Sequence, residues 1–275
     1  MRVECEICPH HCKIEDGHIG LCNARTNRDG RIVSENYGKL TAFALDPIEK
    51  KPLYHFHPGS KILSIGSYGC NLNCPFCQNC DISMVGGKDI KVTEISCEEL
   101  VRKALELQAA GNIGVAYTYN EPLIGYEFVR DCASLVKQQG LMNVVVTNGF
   151  ICEEPLNVLL PVIDALNIDL KGFTEGFYHK LRGDLKTVKR TIELAAAKCH
   201  VEVTTLIIPG ENDSEEEMRE LSGWLASINP DIPLHISRFF PRWHMQDKGA
   251  TPVKLVYHLA EIARTNLKYV HEGNC

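Results

Sequence analysis

Gly69-Cys70-Asn71-Leu72-Asn73-Cys74-Pro75-Phe76-Cys77-Gln78-Asn79 follows directly on the apolar run Ile62 to Ser67. The run reads as a strand, and the loop after it spaces its cysteines as C-x3-C-x2-C. Three thiolates on one short loop suit an iron–sulfur cluster. A four-iron cubane normally takes four cysteines, so three leave one iron open to a non-protein ligand. Zinc sites usually need a fourth nearby Cys or His and pairwise spacing. Phe76, immediately before the third cysteine, offers a flat face to an aromatic ligand beside the open iron. Cys80 extends the spacing to C-x3-C-x2-C-x2-C, and ligation by it would make the chain a ferredoxin-like electron carrier. A fourth ligand so soon after Cys77 competes with a loop already wrapped by three, so the open site is the expectation.

Beyond the loop the chain repeats strand, turn and helix. Helical spacing runs over Cys97 to Ala110, Ile124 to Gln139, Pro155 to Pro161 and Glu175 to Lys198, the last with a break near Gly183. Strands are expected at Ile113 to Tyr119, Asn143 to Thr147, Ala165 to Leu170 and Val201 to Ile208, the last stopped by Pro209-Gly210. Ser214 is a good N-cap for a helix over Glu215 to Ala226, whose three leading glutamates favour the positive end of the helix dipole. Leu234 to Ser237 is the sixth strand and Pro252 to Thr265 the last helix. Six alternating units predict an α/β fold, a partial parallel (β/α)6 barrel, because strand–helix–strand crossovers keep one hand. The division is a cysteine-rich leader over 1–60 and the barrel over 61–275.

Composition agrees with a globular enzyme. The 275 residues are 44% hydrophobic and 23% charged, an ordinary balance for a folded domain. A net charge of −6 with scattered Lys and Arg forms no basic stripe, which argues against a nucleic-acid partner. The most apolar stretch, Leu156 to Leu170, is broken by Pro161, Asp164 and Asp169, so no membrane span is expected. The N-terminus is polar and reads as no signal peptide. Thirteen cysteines without an export signal point to metal ligation in a reducing, cytoplasmic compartment.

The loop, with its aromatic residue before the third cysteine, resembles the signature of the radical S-adenosylmethionine superfamily. The resemblance implies a 4Fe-4S cluster on Cys70, Cys74 and Cys77, with the amino and carboxylate groups of S-adenosylmethionine at the open iron. It implies an oxidoreductase in which one electron, from a donor such as flavodoxin or ferredoxin, cleaves the sulfonium to a 5′-deoxyadenosyl radical for hydrogen abstraction. In such barrels, functional groups gather at the C-terminal ends of the strands. There Glu121, in Tyr117-Thr118-Tyr119-Asn120-Glu121-Pro122, is placed to accept hydrogen bonds from the cosubstrate's amino group, or merely to cap the next helix. Thr147-Asn148-Gly149 offers a hydroxyl, an amide and a close backbone approach. Asp169 and Lys171 lie two apart and point the same way, Lys171 toward a carboxylate or ribose, unless they form only a surface ion pair. Arg238 with Phe239-Phe240 reaches toward the same mouth, whereas His235 reads as structural.

From Lys61 to Ile236 these residues resemble the glycyl-radical activases typified by pyruvate formate-lyase activating enzyme. Thr147-Asn148-Gly149-Phe150, Asp169-Leu170-Lys171 and Ile208-Pro209-Gly210 match in order. That resemblance implies a protein substrate bearing a glycyl-radical site; the alternatives are another protein or a small molecule. Activases usually carry Gly-Gly-Glu where Tyr119-Asn120-Glu121 stands, and an Asp where Val146 stands, which leaves their monovalent-cation site without its acid. Over almost the whole chain, the sequence is similar to the group called AmmeMemoRadiSam-system radical enzymes. Its marks are Cys5 to Cys12, Gly17 to Cys22, Asp46-Pro47-Ile48-Glu49-Lys50-Lys51-Pro52-Leu53-Tyr54-His55-Phe56, Cys77-Gln78-Asn79 and Tyr117 to Pro122. That group typically continues past the last helix with further cysteines. This sequence stops at Tyr269 to Cys275, so a C-terminal metal ribbon is expected to be missing or unfinished.

In the leader, Cys5, Cys8, Cys12 and Cys22 space as C-x2-C-x3-C-x9-C, enough for a closed four-thiolate site. Zinc would staple a loop-rich segment that has little core of its own. An auxiliary iron–sulfur cluster would conduct electrons or bind substrate instead. No motif separates the two, and a structural metal is the preferred expectation. His55 and His57 read as packed or exposed, and Cys97, Cys132, Cys152 and Cys199 as small apolar residues in or beside helices.

Overall fold

The computed structural model describes residues 1–275. Short antiparallel pairs build the leader: β1 (Val3–Glu4) with β2 (Lys13–Ile14), and β3 (Arg25–Arg28) with β4 (Arg31–Ser34). β5 (Lys39–Leu40) pairs with β8 (Thr93–Glu94). One eight-stranded sheet forms the body, from β6 (Ala42–Pro47), β7 (Lys61–Gly66), β9 (Asn112–Tyr117), β10 (Met142–Thr147), β11 (Ala165–Asp169), β12 (His200–Ile207), β13 (Leu234–Arg238) and β14 (Val270–Gly273). The spatial order is β14-β13-β12-β11-β10-β9-β7-β6, parallel throughout except where β6 runs antiparallel to β7.

The fold class therefore stands as expected, with two edge strands added to the six. Neither addition has a strong local signal. Val270–Gly273 carries His271 and Glu272 in place of an apolar alternation, and it reads as a strand only because β13 offers it a parallel edge. Ala42–Pro47 lies among the residues assigned to the leader, and it pairs with β7 along its full length.

Local chemistry sets the helices. α1 (Cys80–Ser83) is a single turn after the cysteine loop, and α2 (Cys97–Glu106) starts in a capping box between Ser96 and Glu99, which is worth about 1 kcal/mol. α3 (Tyr126–Gln138) and α4 (Glu153–Leu159) follow. The break near Gly183 separates α5 (Glu175–Lys180) from α6 (Leu185–Ala196), because Asp184 caps α6 by accepting from the Thr187 N–H. Ser214 caps α7 (Glu215–Ile228) in the same way, and α8 (Val253–Ala263) closes the series. No helix is long and apolar enough to cross a membrane.

One connection does more than join strands. Between β6 and β7 the chain buries Ile48 and Leu53 against Ile62, Ala116, Val144 and Ala165. It then passes Tyr54 within 4.7 Å of the His235 ring and His55 Nε2 within 2.9 Å of His271 Nε2. Glu202 of β12, fully buried, accepts the backbone N–H groups of Tyr54 at 3.1 Å and His55 at 2.7 Å. The segment is thus a strap running from the β6 edge across to the β13–β14 edge.

Candidate functional site

Strand ends, the cysteine loop and the start of the strap line one cavity of about 340 Å³, within the size range of small-molecule sites. Cys70, Cys74, Cys77 and Phe76 line it from the loop after β7, Glu121 from the end of β9, Thr147 and Asn148 from β10, and Asp169 and Lys171 from β11. Residues separated by about a hundred positions thus meet because their strands are parallel neighbours. Arg238 stays out: its Nε donates to the Thr251 carbonyl at 2.7 Å and its guanidinium lies over Phe240. Cys80, the first residue of α1, is buried outside the cavity lining, with Asp81 as its hydrogen-bond partner. His235 is also buried, its Nε2 2.6 Å from a Glu202 oxygen.

The three loop thiols are free. Burial raises all three, Cys74 to about 12, while the positive charge of Lys171 pulls Cys74 and Cys77 down. Thiols so deeply buried become thiolates when a cation takes the proton's place, since metal ligation releases protons. Asn148 Nδ2 lies 3.6 Å from Cys70 Sγ and 2.9 Å from Asn71 Oδ1, bracing the start of the loop. Phe76 stacks parallel on Phe177 at 6.2 Å, which fixes its ring.

Glu121 has both a capping and a bridging role. Its carboxylate accepts from the Leu123 N–H at 3.0 Å at the start of a 3-10 turn, from the Thr147 hydroxyl at 2.7 Å and from the Asn148 N–H at 2.7 Å. Burial raises its carboxyl to about 7 against those three hydrogen bonds. Lys171 Nζ donates to Asp169 at 2.6 Å. Burial pulls that ammonium down, but the charges of Asp169 and Cys74 raise it further, so it stays protonated.

A second charged group on the wall escaped the residue-by-residue reading. Lys51, buried, donates to Asp46 at 2.9 Å and lies 4.5 Å over the Tyr119 ring, and the Tyr119 hydroxyl also donates to Asp46. Burial would raise the Asp46 carboxyl, but hydrogen bonds from Tyr119, Lys51 and Lys50 hold it well below the carboxylate range. Tyr119 takes a φ of +71°, a conformation costly for a non-glycine residue. The only sequence signal was that Asp46 to Phe56 and Tyr117 to Pro122 are both blocks of the resemblance described above.

A three-cysteine loop at the mouth of a largely parallel, open barrel, with an acid and a lysine on the facing strand ends, defines a class of iron–sulfur radical enzyme. The model of the radical SAM superfamily matches residues 64–222, and the chain belongs to that superfamily. It is 39% identical to "Uncharacterized protein MJ0808" of Methanocaldococcus jannaschii over 99% of this chain and 81% of that protein. Pyruvate formate-lyase 1-activating enzyme of Escherichia coli is 28% identical over 60% of this chain and 68% of its own length. Among solved structures, a domain of pyruvate-formate lyase-activating enzyme from Bacteroides vulgatus superposes with a TM-score of 0.51 at 21% identity, covering 58% of this chain and 99% of that one. The family implies a 4Fe-4S cluster and S-adenosylmethionine, and activating enzymes are homologues of this chain.

Proposed function

We propose that this chain reductively cleaves S-adenosylmethionine and directs the resulting radical at a hydrogen atom of a substrate held in the cavity. The observation that carries this is the convergence of Cys70, Cys74, Cys77, Glu121, Asp169 and Lys171 on one cavity. The donor set fits: three free, buried thiols on one loop are what a site-differentiated cluster requires. When bound, the cluster supplies one electron at its open iron, and the cosubstrate supplies the 5′-deoxyadenosyl radical. Cys70, Cys74 and Cys77 hold the irons. Glu121, with Thr147 and Asn148 fixing its carboxylate, orients the amino group, and Lys171 takes the carboxylate or ribose. Phe76 packs against the bound cofactors. Substrate and cosubstrate seated over the strand ends would exclude water from a radical that must meet only its target.

Glycyl-radical activation of a protein partner is the finer reading, supported by the 28% identity to an activating enzyme. Its electron donor would be of flavodoxin or ferredoxin type. Modification of another protein or of a small molecule is the second reading. It is favoured by the positions where this chain departs from the activase pattern, Tyr119-Asn120 before Glu121 and Val146 before Thr147. The blocks spread from Cys5 to Pro122 support placing the chain in the AmmeMemoRadiSam group. The leader is read as 1–60 with a second metal on Cys5, Cys8, Cys12 and Cys22, and the barrel as 61–275.

The test is anaerobic: the reduced protein with S-adenosylmethionine should yield 5′-deoxyadenosine and methionine, and no product above a cluster-free control rejects the reading. Glu121→Ala and Lys171→Ala should keep the iron content yet each weaken S-adenosylmethionine binding by roughly 1.5–3 kcal/mol, the scale of a charge-assisted hydrogen bond. Unchanged affinity by anaerobic titration would leave Glu121 a cap and bridge, and Lys171 an ion-pair partner of Asp169.

A further inference from the structure

The leader carries a built site beside the cysteine loop of the barrel. Cys5, Cys8, Cys12 and Cys22 all line one small pocket, together with Arg25 and His10. All four thiols are free, and three of them are buried. Cys5, Cys8 and Cys12 lie on the β1–β2 connection and Cys22 on the turn before β3, so it is the fold and not only the spacing that gathers them. Arg25 closes the pocket. Its guanidinium is 4% exposed and gives its two terminal nitrogens to Glu127, at 2.8 and 2.6 Å, and to the Ile124 carbonyl. Its Nε–H has no hydrogen-bond partner, and the Cys5 thiol is its neighbour on the pocket side. A buried N–H without an acceptor costs about 1–3 kcal/mol. An anionic sulfur centre in the pocket would supply the acceptor and balance the cation.

The site is also coupled to the cysteine loop. Asn71, the residue after Cys70, rests its side chain against the Cys8 thiol. Its carbonyl meets His10 Nε2 at 2.7 Å, and its Oδ1 accepts from Asn148, whose amide also faces Cys70 Sγ. Gly69, the residue before Cys70, is packed so tightly on the leader that a Cβ there would collide with the Cys22 carbonyl. Both residues flanking the first cysteine of the barrel loop therefore touch residues of the second cysteine set, Gly69 the Cys22 backbone and Asn71 the Cys8 thiol.

We propose that Cys5, Cys8, Cys12 and Cys22 ligate a second iron–sulfur cluster, with Arg25 as its charge partner and Asn71 as its link to the barrel loop. This rests on reading the leader as metal-bearing and names the metal. The contact with the barrel loop favours iron and sulfide over zinc, because a structural zinc gains nothing from lying against that loop, whereas a redox centre does. One electron from an external donor of ferredoxin or flavodoxin type reduces the leader cluster by one charge and oxidises the donor by one, with no bond made and no proton moved.

The experiment uses the full chain purified anaerobically and reconstituted with iron and sulfide. The triple variant Cys70→Ala, Cys74→Ala, Cys77→Ala should keep about half of the iron and acid-labile sulfide and show a cluster signal in electron spin resonance after reduction. Adding Cys8→Ser and Cys22→Ser should remove that remainder. In the triple variant, Arg25→Gln should move the midpoint potential to more negative values, because the reduced cluster loses its cation, and Arg25→Lys should restore most of the shift. One zinc per chain with no residual iron, or no metal at all in the triple variant, overturns the proposal. Deoxyadenosine formation by the wild-type chain is scored separately, so failure at the leader and failure at the barrel give different results.

Discussion

Cys74→Ala is expected to abolish 5′-deoxyadenosine formation and to remove the barrel cluster. Cys74 is 6% exposed, lines the cavity and has the Lys171 and Asp169 charges beside it. No spare thiol is placed to replace it, since Cys80 is held in the first turn of α1 outside the cavity. Two thiolates on this loop cannot hold a four-iron cluster that already lacks one protein ligand. The check is iron per chain together with an anaerobic product assay. Full activity in the Cys74→Ala protein would reject the cluster assignment for this loop. Iron held by the proposed leader cluster would stay in place, so on that proposal the loss should be partial in metal and complete in product.

Glu202→Ala should be the most destabilising single change away from the cysteines, by about 3–5 kcal/mol, the cost of breaking a buried charged pair. The carboxylate serves four donors at once, His200 and His235 and the backbone N–H groups of Tyr54 and His55. Burial alone would raise it, but the two histidines and then the two backbone groups hold it at about 2, against an ordinary 4.5. A carboxylate held low in the folded state stabilises only while it is ionised. The contribution, ~3 kcal/mol, is fully present above about pH 5 and is lost as pH falls toward 2. Urea melts of wild type and Glu202→Ala should therefore differ most at pH 7 and converge in acid. A constant difference across that range would show that the carboxylate's charge plays no part.

The parallel body and the cysteine loop were legible because both signals are local. Apolar runs closed by Asn-Gly or Pro-Gly mark strands, and three thiols within one loop mark a cluster whatever surrounds them. Glu121, Asp169 and Lys171 could be singled out from their position after a strand. Their partners could not, because Thr147 and Asn148 reach Glu121 across 26 and 27 residues. Arg238 shows the limit of that logic: it too ends a strand, but the Thr251 carbonyl and the Phe240 ring draw it aside. Lys51 and Asp46 were quoted only as part of a motif, and nothing local says that a lysine after a short turn will be buried against a tyrosine 68 positions away. Arg25 was missed for the same reason, since its partner Glu127 lies 102 residues on.

The strap has a consequence for how the chain is made. Its anchor, Glu202, lies 148 residues downstream of Tyr54 and 147 downstream of His55. During synthesis, at roughly 5–20 residues per second, the strap leaves the ribosome roughly ten seconds or more before β12 exists to receive it. Closing so long a loop is slow, because its entropy must be lost before any contact rewards it. Until then Tyr54 and His55 lack the carboxylate that takes their N–H groups, and the barrel lacks the segment that spans its two edges. On a ribosome-bound chain that stops before β12, the Tyr54–His55 end of the strap should therefore stay open to proteolysis, and on the completed chain it should be protected.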